Sequence, residues 1–174
     1  MSNYSSAMSQ DGNQSPFSPR ELRDCFGTFV TGVTVVTTVD TQGRWYGVTV
    51  NSFSSVSIDP PLILWSQQLS APSHPVFRSA QRFAVNILAE DQMEVSSRFA
   101  GGRPDKFSDV EIIDGLGGVP LIAGCSAHLE CSSEATYPGG DHTVFLGRVE
   151  SIRRTHRPPL AFGGGKYMRV HPHG

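Results

Sequence analysis

The chain has no field of charge of one sign: 14 basic residues against 16 acidic ones leave a net charge of −2. Neither nucleic acid nor an anionic membrane surface is favoured as a partner. No apolar run approaches the ~20 residues that span a bilayer. The first 18 residues, rich in Ser, Asn and Gln, lack the apolar centre of a signal peptide. Cysteines are few and odd in number: Cys25, Cys125 and Cys131 form no C-x-x-C pair. That argues against a disulfide framework and fits a reducing cytoplasm. There is no G-x-G-x-x-G, so a Rossmann dinucleotide site lacks its signature. Gly165-Lys166 is no phosphate-binding loop, because Leu160 stands where the first glycine belongs and Tyr167 where Ser or Thr belongs. Without H-E-x-x-H, and with only the unsupported His171-Pro-His173, no metal is expected. The absence of G-x-S-x-G removes the common hydrolase elbow.

Glycine and proline are plentiful, at 18 and 12 of 174 residues, and apolar residues make up 38%. This is the composition of one turn-rich domain with little helix. Residues 1–17 read as a disordered lead, 18–170 as the folded domain and 171–174 as a tail. Ser18-Pro19-Arg20-Glu21 predicts a helix start with a capping box, and Leu22, Phe26 and Phe29 share one apolar face. Val33–Val39 is a β-branched strand, and Asp40-Thr-Gln-Gly43 a turn into a second strand, Trp45–Val50. Strands follow at 55–58, 62–65 and 83–88, with helices at 73–80 and 91–99. Residues 101–124 read as loop, 127–136 and 142–152 as a hairpin, and Phe162 with 167–170 as closing the sheet. Many short strands with Gly/Pro turns and a few short helices predict a mainly β fold, a small barrel.

From the end of the second strand to the start of the third stand Thr49, Asn51, Ser52, Ser54 and Ser55, followed by Asp59-Pro-Pro61. Short hydroxyl and amide side chains at strand ends can line a flat polar ligand. They can equally satisfy local backbone. Cys125 and Cys131 suit small buried apolar positions. Trp65 stands open between core packing and stacking on a ligand. Arg153, Arg154, His156 and Arg157 form a basic cluster that suits a solvated loop.

Taken in order, several motifs resemble the flavin reductase domain family, the short FMN-binding split β-barrels of Greek-key-like form. They are Phe29-Val-Thr-Gly-Val-Thr-Val-Val-Thr-Thr38, Gly47-Val-Thr-Val-Asn-Ser-Phe53 with Ser57-Ile-Asp-Pro-Pro61, and Arg82-Phe-Ala-Val-Asn-Ile-Leu88. Arg98-Phe-Ala-Gly101, Asp105-Lys-Phe107, Gly139-Gly-Asp-His142 and Phe145-Leu-Gly-Arg-Val149 complete the set. The resemblance covers about residues 19–170. It implies reduction of FMN or FAD by NADH or NADPH, a homodimer, and a partner monooxygenase that receives reduced flavin. It further implies that Thr49, Val50, Asn51 and Ser52 hold the flavin ring on one side and Thr31 and Thr34 on the other. Ser66, Gln67 and Ser70 would lie along the ribityl chain or phosphate. Arg98, Phe99, Ala100 and Lys106 would serve the phosphate, with Lys106 one of two lysines in the chain. His142 would orient the nicotinamide, and Tyr167 would help enclose it. Trp65-Ser-Gln-Gln-Leu69 departs from the smaller residues usual there in the family. Two other readings remain: a flavin protein that carries electrons or senses redox state without nicotinamide turnover, or a flavoenzyme acting on a small organic or corrinoid substrate.

Overall fold

A computed structural model describes residues 16–171; most of the predicted lead and His173 lie outside the described residues. The first helix, α1 (Pro19–Phe26), forms where the capping box sets it. Ser18 Oγ accepts from the Glu21 amide, and the Glu21 carboxylate accepts from the Ser18 amide. Its predicted apolar face is not buried, and Phe26 and Phe29 are exposed.

Among the described residues twelve strands follow, interleaved with two more α-helices and a 3-10 turn at Leu116–Gly118. They are β1 (Thr31–Gly32), β2 (Thr34–Val39), β3 (Trp45–Val50), β4 (Ser54–Ile58), β5 (Pro61–Gln68), α2 (His74–Ser79), β6 (Arg82–Ile87) and α3 (Met93–Ala100). The chain continues through β7 (Ile112–Asp114), β8 (Pro120–Ile122), β9 (Ala127–Gly139), β10 (His142–Arg154), β11 (Ala161–Gly163) and β12 (Lys166–Met168). The main sheet is antiparallel and seven-stranded, in the order β3-β2-β6-β9-β10-β5-β4. Its two ends meet at a side chain. Ser52, between β3 and β4, donates its hydroxyl to the Ser66 carbonyl on β5 at 3.0 Å and accepts from the Ser66 amide at 2.9 Å. That seam closes the sheet into a barrel.

The barrel interior holds Val36, Ile63, Phe77, Phe83, Val85 and Phe145 around Trp65. Trp65 is fully buried and stacks on Phe145 at 4.4 Å, so the open question about this residue resolves as packing. A second core, with Val35, Leu88, Phe99, Ile122 and Leu160, lies on the other face of β2. Strand β2 is covered on both faces, so every residue from Thr34 to Thr38 is buried. This is why its sequence is β-branched without alternation.

Two expectations are corrected. The stretch 101–124 is not loop throughout, because β7 and β8 pair within it. Phe162 and Tyr167 do not close the main sheet. Instead β11 and β12 join β1 in a separate three-stranded sheet, with Thr31 opposite Phe162. A two-residue strand at 31–32 finds its partner some 130 residues later, a pairing invisible to local pattern. The basic cluster is exposed, with Arg153 paired to Glu130 and Arg157 to Asp91. Among the described residues no helix is long and apolar enough to cross a membrane.

Candidate functional site

The site is built where β3 ends. Helix α3 lies over this strand and is fixed to it by Thr49, whose hydroxyl donates to the Ser96 carbonyl at 2.7 Å. Ser96 also accepts from the Tyr167 hydroxyl at 2.9 Å. Tyr167, on β12, is braced edge-on by Phe162 at 5.5 Å. Between them is a cleft of about 210 Å³ lined by Val33, Thr49, Val50, Asn51, Ala100 and Tyr167, with Ser96 and Phe162. Apolar side walls with a polar end suit a flat heterocycle. Asn51 is exposed, and its carboxamide bonds to no other described residue.

Asn51 and Phe162 also border a wider groove of about 700 Å³ beneath α1, where Thr31 lies. The Thr31 hydroxyl is buried without a hydrogen-bond partner. An orphaned hydroxyl and a free carboxamide beside an apolar slot fit a flavin ring, which has a polar pyrimidine edge.

The other predicted residues fall elsewhere. Thr34 is buried in β2 and donates to the Val50 carbonyl at 3.1 Å. Phe99 is fully buried, meeting Phe107 at 4.9 Å and covering Gly47 so closely that a Cβ there would meet its ring at 2.5 Å. The side chains of Thr34 and Phe99 are therefore core groups and do not line the cleft. Ser52 and Ser66 form the barrel seam. Gln67 is buried and donates to the Ser73 hydroxyl at 3.0 Å, while its Oε1 has no partner. Ser70 is exposed in the loop after β5. Arg98 donates to the Ser108 carbonyl and borders a groove with Tyr167 and Arg103. Lys106 stands in a separate pocket beyond α3, donating to the carbonyls of Phe99 (2.9 Å) and Gly47 (3.3 Å). Burial holds its pKa below the ordinary lysine value.

His142 opens β10 opposite Gln68. Gln68 and Ser66 share the outer face of β5, so His142 lies about 7 Å along the strand from the seam. Its Nδ1 is 2.7 Å from Asp141 Oδ1. That hydrogen bond holds the Asp141 carboxyl below the usual range. A carboxylate accepts only, so Nδ1 carries the proton in this hydrogen bond.

Sequence reasoning missed Ser96 and Phe162, which reach the cleft on α3 and on the small sheet through packing that no local pattern encodes; Val33 lies within the Thr31–Thr34 stretch already read as lining the ring. Among the described residues no group of three or more His, Cys, Asp or Glu side chains could hold a metal.

A split barrel whose strand-end cleft suits a flat, polar-edged ring defines a class of ligand-binding protein. The chain belongs to the flavin reductase like domain family, whose family model matches residues 26–171. It is 46% identical over 153 residues to FMN reductase (NADH) SmoA of Agrobacterium fabrum, covering 86% of this chain and 85% of that one. It resembles the reductase component of flavin-dependent trigonelline monooxygenase of Acinetobacter baylyi, at 42% identity over 149 residues. There it covers 86% of this chain but only 48% of that longer protein. Among solved structures it is similar to Streptomyces globisporus NADH:FAD oxidoreductase SgcE6 in complex with NAD and FAD fragments. The TM-score is 0.84 at 42% identity, over 88% of this chain and 93% of that one.

Proposed function

We propose that the protein is an NAD(P)H-dependent flavin reductase, passing a hydride from a nicotinamide to FMN or FAD and supplying a partner monooxygenase with reduced flavin. The observation that carries this reading is the cleft at Thr49–Asn51, formed in a chain of the flavin reductase family. The flavin, when bound, supplies the hydride-accepting chemistry. The protein's part is placement. Val33, Phe162 and Tyr167 wall the ring and exclude water. The strand end at Val50–Asn51 and the Thr31 hydroxyl offer hydrogen bonds to its polar edge, where charge grows on reduction. Lys106 anchors phosphate. Asp141 fixes the His142 tautomer, so that Nε2 accepts from the nicotinamide carboxamide and sets the donor over the cleft. The protein acts in the cytoplasm as a homodimer.

The test is stopped-flow bleaching of flavin, crossing FMN and FAD with NADH and NADPH. Failure of all four pairs overturns the reading. His142→Ala is expected to raise the nicotinamide KM about tenfold, the scale of one lost hydrogen bond in a site, with flavin affinity little changed. Selective loss of flavin binding instead would remove His142 from the nicotinamide site.

A further inference from the structure

None of the residues lining the ring cleft is charged. A hydride carries two electrons and one proton, so a flavin ring that receives one gains a negative charge. In this cleft only hydrogen-bond donors can answer that charge. The polar side chains therefore matter one by one. The Thr49 hydroxyl proton is spent on the Ser96 carbonyl at 2.7 Å. Asn51 is exposed, so water competes for its carboxamide. Ser96 and Tyr167 remain.

Their hydroxyl oxygens are 2.9 Å apart, and neither bonds to any other described residue. Two hydroxyls carry two protons, and the bond between them uses one. The pair therefore has one O–H left to give, whichever way that bond runs. A phenol is a stronger acid than an alcohol, so Tyr167 donates and Ser96 keeps the spare proton. Ser96 is 1% exposed and lines the cleft, so this proton is shut away from bulk water beside the place of the ring. A hydroxyl that accepts one hydrogen bond becomes a better donor of the next. The two partners stand 71 residues apart, on α3 and β12, so only the fold brings them together.

We propose that Ser96, polarised by Tyr167, donates a hydrogen bond to the flavin ring and holds the reduced form more tightly than the oxidised one. Tyr167 is the positioning residue of this pair, besides being a wall of the cleft. The hydride passes from the nicotinamide to the ring as an electron pair with its proton, leaving an oxidised nicotinamide and a reduced ring. Ser96 keeps its own proton throughout and contributes only the hydrogen bond. Its effect is to make bound flavin easier to reduce. The inference rests on the flavin reductase reading and deepens it, because it gives that site a residue that senses the redox state of the ring.

Binding of each redox form tests this without any nicotinamide. FMN is titrated oxidised, and again after anaerobic reduction by dithionite, against wild type, Tyr167→Phe and the double variant Ser96→Ala/Tyr167→Phe. The double variant is needed because Ser96→Ala alone frees the Tyr167 hydroxyl to donate in its place. The ratio Kd(oxidised)/Kd(reduced) should fall about tenfold from wild type to the double variant, the scale of one hydrogen bond to a charged group. Tyr167→Phe should lower it by a smaller factor, since Ser96 still donates but is no longer polarised. Oxidised FMN should bind all three alike, which shows the cleft intact. A ratio that does not move, both forms weakening together, or no binding of either form to the wild type overturns the inference. Reduction of flavin by NADH or NADPH in the same wild-type preparation then leaves the reductase reading standing. A ratio that falls as expected, in a protein with which no nicotinamide reduces flavin, upholds the inference and overturns that reading alone.

Discussion

Thr34, Thr49 and Ser52 carry the same hydroxyl chemistry within one stretch of chain, yet each is engaged with backbone: Val50, Ser96 and Ser66 respectively. Thr31 and Asn51, beside them, are the polar groups left for a ligand. Residue type alone does not separate these cases, because a hydroxyl at a strand end serves backbone and ligand equally well. The cysteines separate more cleanly. Burial pushes Cys125 and Cys131 up to about 12, while Cys25 is exposed on α1. Only the thiolate reacts with a disulfide reagent, so at pH 8 both buried thiols stay inert. Titration with dithionitrobenzoate should count one thiol per native chain and three after denaturation. Three in the native protein would contradict the burial described.

At the scale of elements, what was legible in the sequence is what is local. The α1 capping box, the β2–β3 hairpin around Asp40 and the long β9–β10 hairpin each rest on residues a few positions apart. The family motifs brought Thr49, Val50, Asn51, Ala100 and Tyr167 to one cleft. What was not legible is β7 with β8, three-residue strands hidden among glycines and prolines, and what depends on distant pairing: β1 with β11, and the seat of Lys106 on the Phe99 and Gly47 carbonyls. The Ser52–Ser66 seam belongs here too, because it joins a residue outside any strand to a strand that pairs on both sides. Removing the hydroxyl tests that seam. Ser52→Ala strands the Ser66 amide and carbonyl across the gap, a loss of about 1–3 kcal/mol for unsatisfied backbone. Urea unfolding should show a lower midpoint with an unchanged slope. An unchanged midpoint would mean that the barrel closes without this side chain.

For the whole molecule, the uncovered surface of α1 is the feature a lone chain leaves unexplained. The helix is eight residues long with no residue buried, and Phe26 and Phe29 are 70% and 77% exposed. Helices this short are marginal without packing, and a cluster of exposed aromatics marks a contact surface. A tether to the three-stranded sheet, from the Gly164 amide to the Gly27 carbonyl at 2.7 Å, sets α1 over the groove that runs to Thr31 and Asn51. A second copy laid on this face would bury Phe26 and Phe29 and shut the groove from water, so that flavin binding and dimer formation would be linked. Phe29→Glu places a charge in that contact. Sedimentation equilibrium should show the dimer dissociation constant raised about tenfold or more, the loss of a buried aromatic anchor. Flavin affinity should fall with it and recover as protein concentration rises. A dimer that withstands Phe29→Glu puts the contact elsewhere, and the next surface to test is the sheet edge at β4, where Ile58 is 91% exposed.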